Sequence, residues 1–166
     1  LDIELADCIF LAGVNLKETF PLMTMRVLRA KERGAKVIVL DPRRTATARY
    51  LGDIHLRLRP GTDVAVLNCL MRIILDEGLE DEAFIAARTA GIDELRQHLA
   101  SLDLEEMAAI SGVPLETLRE AALAYATAKT GCILYDQGLN QHTTGSDNVK
   151  ALASLALLVG HYGRPG

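Results

Sequence analysis

Two carboxylates at the mouths of βα turns carry most of the chemical information in this chain. Val37-Ile-Val-Leu-Asp41-Pro42-Arg43 is a run of four β-formers ending on an acid, followed by a proline and an arginine. A parallel strand that ends this way delivers its acid to the ligand crevice beyond the sheet, where it can accept both hydroxyls of a ribose. Arg43 behind it can pair with a phosphate or stack on a base. Asp63, 22 residues further on, follows Arg59-Pro60-Gly61-Thr62 and opens a long apolar stretch. A carboxylate there suits guanine, whose N1–H and exocyclic amine would both donate to it, at about 1.5–3 kcal/mol for each charge-assisted bond. Adenine presents a lone pair at the same edge and is rejected. Both acids also have a plain structural reading. Pro42 shapes a solvated turn, and Thr62 caps a helix whose dipole favours Asp63 in its first turn.

Two more polar segments follow strand-like runs. Gly13-Val14-Asn15 brings a carboxamide that can donate to phosphate oxygens, with the Thr19 hydroxyl close behind. Gly138-Leu-Asn-Gln141-His142-Thr-Thr-Gly145 is dense in amides and hydroxyls, and its glycines let backbone approach a ligand closely. His142 reads as a hydrogen-bonding residue, because no carboxylate or cysteine stands at metal-ligand spacing from it. His55, His98 and His161 also lack sequence neighbours that would make them ligands. The glycine fingerprint of a standard NAD site is missing, as are a phosphate-cradling lysine loop and a nucleophile elbow.

These residues need a scaffold, and the apolar pattern supplies one. Cys8 to Ala12 reads as a strand buried on both faces, Val37 to Leu40 as the next, and Ile54 to Leu58 as a strand nearer an edge. Between them lie a loop over 13–20, a helix begun by Pro21 and stopped at Gly34, and a short helix over 45–50. A core-packed helix runs from Thr62 to about Glu77, with Asn68, Arg72 and Asp76 as its polar stripe. Helical patterning over about 79–129 breaks at Gly91, 101–103 and Gly112. Cys132 to Tyr135 then reads as a strand, 137–145 as a loop, and Ser146 to about Gly160 as a helix. The order βαβαβ, helices, βα predicts an α/β fold: a three-layer, Rossmann-like parallel sheet with a helical insertion.

Residues 1–166 are expected to form one domain, with ample length for a core. A net charge of -4 with no long basic run gives no reason to expect nucleic-acid binding. No apolar run approaches the roughly 20 residues of a membrane span. Cys8, Cys69 and Cys132 are too scattered for a zinc or iron–sulfur motif and read as buried thiols, which favours a reducing compartment. The chain starts at Leu1 and stops at the turn-like Pro165-Gly166, the expectation for a piece excised from a longer polypeptide.

Taken together, Leu11-Ala-Gly-Val-Asn15, Gly34 to Arg43, Leu58-Arg-Pro-Gly-Thr-Asp63, Gly138 to Gly145 and Gly163-Arg-Pro-Gly166 resemble the molybdopterin oxidoreductases. More narrowly they are similar to the catalytic subunits of formate dehydrogenases and nitrate reductases. The resemblance implies two molybdopterin guanine dinucleotides around molybdenum or tungsten in the parent protein, a 4Fe-4S cluster, and electron-transfer subunits beside other domains of the same polypeptide. It implies a cytoplasmic location, with the periplasm as the alternative. One dinucleotide would contact Asn15 and Thr19 on its diphosphate side, Asp41 and Arg43 at its ribose region and Asp63 at its guanine, with Gly13 and Gly61 among the cofactor-binding residues. Gly138 and Gln141 would lie close to the same molecule. Family members often carry Asn-Pro after the first strand, where this chain has Asn15-Leu16. The metal-ligating residue and the cluster cysteines would lie upstream and an active-site arginine loop downstream. The expected role is therefore cofactor binding without a catalytic residue of its own. Two alternatives are a Rossmann-like site for another nucleotide such as NAD, and a pterin-free structural domain like that of the complex I iron–sulfur subunit.

Overall fold

The computed structural model describes residues 2–166. Four strands, Cys8–Ala12 (β1), Lys36–Leu40 (β2), Ile54–Leu56 (β3) and Gly131–Tyr135 (β4), form one sheet in the order β3-β2-β1-β4. Every pairing is parallel, with Ala12 opposite Leu40 and Tyr135, and Leu40 opposite Leu56. The four carboxyl ends thus share one edge. All five residues of β1 are buried, as a central parallel strand covered on both faces must be.

Side-chain alternation divides the core in two. Cys8, Phe10, Ala12, Ile38, Leu40 and Leu56 face one layer of helices; Ile9, Leu11, Val37 and Val39 face another. The second layer holds Pro21–Glu32 (α2) and Ala46–Tyr50 (α3), whose Val27, Ala30 and Ala48 pack on the sheet. The first centres on Asp63–Asp76 (α4), of which Val66, Leu67, Cys69, Leu70, Met71, Ile73 and Ile74 are buried. The result is the expected three-layer α/β architecture.

Four helices separate α4 from β4: Glu82–Arg88 (α5), Ile92–Ala100 (α6), Leu104–Ser111 (α7) and Leu115–Ala126 (α8). The starts of α5 and α7 are specified locally, because Asp81 accepts from the Phe84 N–H and Asp103 from the Glu106 N–H, each satisfying an otherwise unpaired first-turn donor. Helices α6, α7 and α8 pack around α4. The insertion therefore enlarges one face of the core without entering the sheet. Gly145–Leu158 (α10) closes the same layer.

Several local expectations change. Residues 13–20 contain the short helix Leu16–Thr19 (α1), and 137–145 contain Gln137–Asn140 (α9). Strand β3 stops at Leu56 because Arg57 and Leu58 donate backwards to the carbonyls of His55 and Leu56, which curls the chain out of the ladder. Thr62 stands at the start of α4 but does not cap it; its hydroxyl donates to the Arg59 carbonyl instead. No helix among the described residues is long and apolar enough to cross a membrane.

Candidate cofactor-binding site

Parallel register puts the residues just past each strand in one row along the carboxyl edge: Arg57, Asp41, Gly13 and Asp136. Strand order reverses between β1 and β4, since β1, β2 and β3 run one way and β4 lies on the other side of β1. Ligands of open α/β sheets bind beyond this edge, at such a reversal.

Asp41 is buried, and its Oδ1 accepts the Arg43 N–H at 2.7 Å in a tight local turn. The Arg43 guanidinium lies 3.8 Å from the same oxygen, with most of its side chain in solvent. His55, from the neighbouring strand, makes a 2.9 Å hydrogen bond through Nε2 to the Asp41 carbonyl. That nitrogen must carry the proton, since a carbonyl only accepts. The turn after β2 is thus fixed from two sides, leaving Arg43 free to swing.

Asp63 is also buried, at the start of α4. Burial pushes its carboxyl pKa upward, against the pull of its own backbone N–H. His142 lowers it and Asp41 raises it further. Charges in the loops after β2 and β4 therefore reach the carboxyl that follows β3. The two acids share one end of the sheet and one electrostatic environment. Gly61, two residues before Asp63, has a positive φ of 84° and open space where a Cβ would stand.

Asn15 is held from across the β1–β2 boundary. Its Oδ1 accepts from the buried Thr47 hydroxyl at 2.8 Å, and the Thr47 oxygen accepts from the Lys17 N–H at 3.1 Å. With the oxygen so engaged, the amide –NH2 is the half of the side chain turned to other acceptors. The Thr19 hydroxyl donates back to the Asn15 carbonyl at 2.9 Å. Gly13 and Gly138 meet each other, because Gly138 donates its N–H to the Gly13 carbonyl at 3.1 Å. Gln141 lines a polar cleft of about 750 Å³ with Asp136, Gln137, Asn140 and Ser146, beside the end of β4. Neither Asp41 nor Asp63 lines that cleft. His142 is exposed and makes a 2.9 Å hydrogen bond to the Gly138 carbonyl.

Three supporting residues escape a reading of the sequence: Thr47, His55 and Arg59. Arg59 donates through Nη1 to the carbonyls of Ala109 and Ile110 at 2.6 and 3.1 Å, and its backbone N–H donates to Ser111 at 2.7 Å. It ties the turn carrying Asp63 to the carboxyl end of α7, whose last carbonyls need donors. Its partners lie 50 and 51 residues away, so no local pattern marks them. For Thr47, the alternation of Thr45 and Thr47 in a short helix was the available signal. Among the described residues no group of three or more His, Cys, Asp or Glu side chains could hold a metal ion.

A four-stranded parallel sheet with helices on both faces and two buried acids at its carboxyl end defines an α/β domain of the ligand-crevice type. The model of the molybdopterin oxidoreductase family matches residues 1–166, and the chain belongs to that family. It is 48% identical over 165 residues to the F420-dependent formate dehydrogenase 1 subunit alpha of Methanococcus maripaludis, covering 99% of this chain and 24% of that protein. It is 42% identical to the assimilatory nitrate reductase catalytic subunit of Bacillus subtilis, covering 99% of this chain and 23% of that one. Among solved structures, acetylene hydratase from Pelobacter acetylenicus superposes with a TM-score of 0.90 at 30% identity, over 95% of this chain and 22% of that one. The chain spans about a quarter of the length of the relatives it matches.

Proposed function

We propose that this chain is the part of a molybdenum or tungsten oxidoreductase that holds one molybdopterin guanine dinucleotide, and that the parent enzyme is a formate dehydrogenase. The reading is carried by Asp63, a buried carboxyl whose protonation responds to both Asp41 and His142. A buried acid costs stability, and such a cost is characteristic of a binding position. In this reading Asp63 accepts from the guanine edge and Asp41 from a ribose. Arg43 stands with Asp41 at the ribose region, and the Asn15 amide donates to the diphosphate. Thr19 sits at the same loop, Gly13 and Gly138 let the two loops lie close beneath the ligand, and Gly61 and Gln141 border it. The donor set fits the group: acceptors lie where the nucleoside offers N–H and O–H, and donors where it offers phosphate oxygens. When bound, the pterin supplies dithiolene sulfur to the metal, which carries the two-electron chemistry. This chain's residues bind and orient the tail.

The formate assignment rests on the 48% relative, and the nitrate reductase at 42% supports that activity as the second reading. Relatives described as an alpha subunit and a catalytic subunit support further subunits, and the fraction of their length this chain covers supports contacts with other domains of the polypeptide. Electron-transfer subunits and a 4Fe-4S cluster elsewhere in the polypeptide belong to the same reading. Three free cysteines, two of them buried, support a cytoplasmic location.

The test is made on the full-length protein. Acid release of the cofactor should yield GMP in proportion to bound metal, and Asp63→Ala should lower that yield at least tenfold, as expected for about 1.5–3 kcal/mol per lost charge-assisted bond. Unchanged GMP and metal content in the variant would overturn the assignment.

A further inference from the structure

The two edges of the sheet differ. The β3 edge is short, three residues, and carries the half-buried polar His55 at its centre. Such an edge discourages further pairing. The β4 edge is five residues long, Gly-Cys-Ile-Leu-Tyr, with no charge.

Backbone polarity on β4 follows from two hydrogen bonds. The Thr130 carbonyl accepts from the Cys8 N–H at 3.1 Å, and the Asp136 N–H donates to the Ala12 carbonyl at 3.3 Å. In a parallel ladder alternate residues face the same neighbour. Thr130, Cys132, Leu134 and Asp136 therefore bond toward β1. Gly131, Ile133 and Tyr135 point their N–H and C=O groups away from it, past the edge of the sheet.

Each face of that edge opens on an apolar groove. On one side Val14, Leu16, Phe20 and Met23 bound a cavity of about 260 Å³, together with Ile133 and Tyr135. On the other, Val149, Leu152, Ala153, Ala156 and Tyr162 bound one of about 570 Å³, with the same Ile133 and Tyr135. Tyr135 is 48% exposed and Tyr162 69% exposed, so both rings are open to further contact. Unpaired amides between two apolar grooves fit one kind of occupant, a β-strand with apolar side chains on both faces.

We propose that the β4 edge receives a fifth strand from the same polypeptide outside residues 1–166, its alternate side chains filling the two grooves. The relatives leave ample chain to supply it, since this sequence covers only 24% of one and 23% of another. An all-parallel sheet with both faces apolar is completed by continuing in kind. The inference is independent of what the opposite loops bind.

The full-length protein provides the test. Tyr135→p-benzoylphenylalanine should photo-crosslink to a single peptide of the same polypeptide outside this region, identified by mass spectrometry. Without any substitution, hydrogen exchange of the Gly131, Ile133 and Tyr135 amides should be as slow as that of Cys132 and Leu134. A crosslink to a second copy or to another protein would overturn the proposal, as would no crosslink. So would exchange of the three outward amides about 100-fold faster than their neighbours, the signature of open hydrogen bonds.

Discussion

The backbones of Gly13 and Gly138 lie in contact. A Cβ on Gly138 would fall 2.5 Å from the Gly13 carbonyl oxygen, and one on Gly13 would fall 2.5 Å from the Gly138 carbonyl carbon. Their hydrogen bond seals the base of the crevice where strand order reverses. A ligand at this reversal must therefore rest above the two loops, since the backbone gap between them is closed.

Gly138→Ala is accordingly expected to destabilise by about 1–3 kcal/mol, the usual cost of forcing an atom into a packed site. Chemical denaturation measures it. Gly61→Ala is the contrast: space is open there, and only the positive φ of 84° is strained, so the loss should be about 1 kcal/mol.

Asp63 sets stability against binding. Its folded pKa lies above the ordinary carboxyl value of 3.8, first because of burial. The folded protein thus keeps a proton that the unfolded chain releases. Stability from this group is present below pH 3.8 and is lost as pH rises through the raised folded value. Asp63→Asn should equal or exceed the wild type in stability at pH 7, with the difference shrinking toward acid, in urea titrations run at several pH values. The same variant should bind the guanine dinucleotide at least tenfold more weakly, since an amide replaces one acceptor by a donor.

Arg59→Ala probes the brace between the Asp63 turn and α7. The arginine is exposed, so the stability loss should be about 1 kcal/mol, that of ordinary hydrogen bonds to carbonyls. Cofactor occupancy in the full-length protein should fall more than this small loss explains. Equal occupancy in variant and wild type would show that the turn holds Asp63 without help.

His161 gives a second pH dependence, of opposite sense. Its ring packs edge-on to Tyr125 at 5.0 Å between centroids, and burial lowers its pKa below 6.5, with Arg164 adding to the effect. The unfolded chain takes up a proton below pH 6.5 that the folded protein refuses. Stability should fall as pH drops from 6.5 through the folded value. His161→Gln should flatten that slope in thermal melts between pH 7.5 and 5.

The thiols should be sluggish. Cys8 is pushed up to about 12 and Cys69 to about 11 by burial, and both are fully buried. A thiol-disulfide reagent at pH 8 should therefore label neither until the protein unfolds.

Local sequence was enough for the elements and their order. Four β-formers before Asp41, the Pro21 start, the glycine stops and the apolar run after Asp63 are short-range signals, and the strands and long helices follow them within a few residues. That Asp41 and Asp63 lie at one end of the sheet was legible too, because the βα turns of a parallel sheet all open at its carboxyl edge. The parallel order β3-β2-β1-β4, the Gly13–Gly138 contact, the Thr47 bond to Asn15 and the Arg59 brace were not. Each joins residues 16 to 125 positions apart, and a chain shows no preference for such a pair until folding has closed the loops between them. The sequence by itself determined which groups could bind and which strand ends would carry them. Only the tertiary structure decided which groups meet, because burial and the fields of Asp41 and His142 act on Asp63 only after separate loops converge.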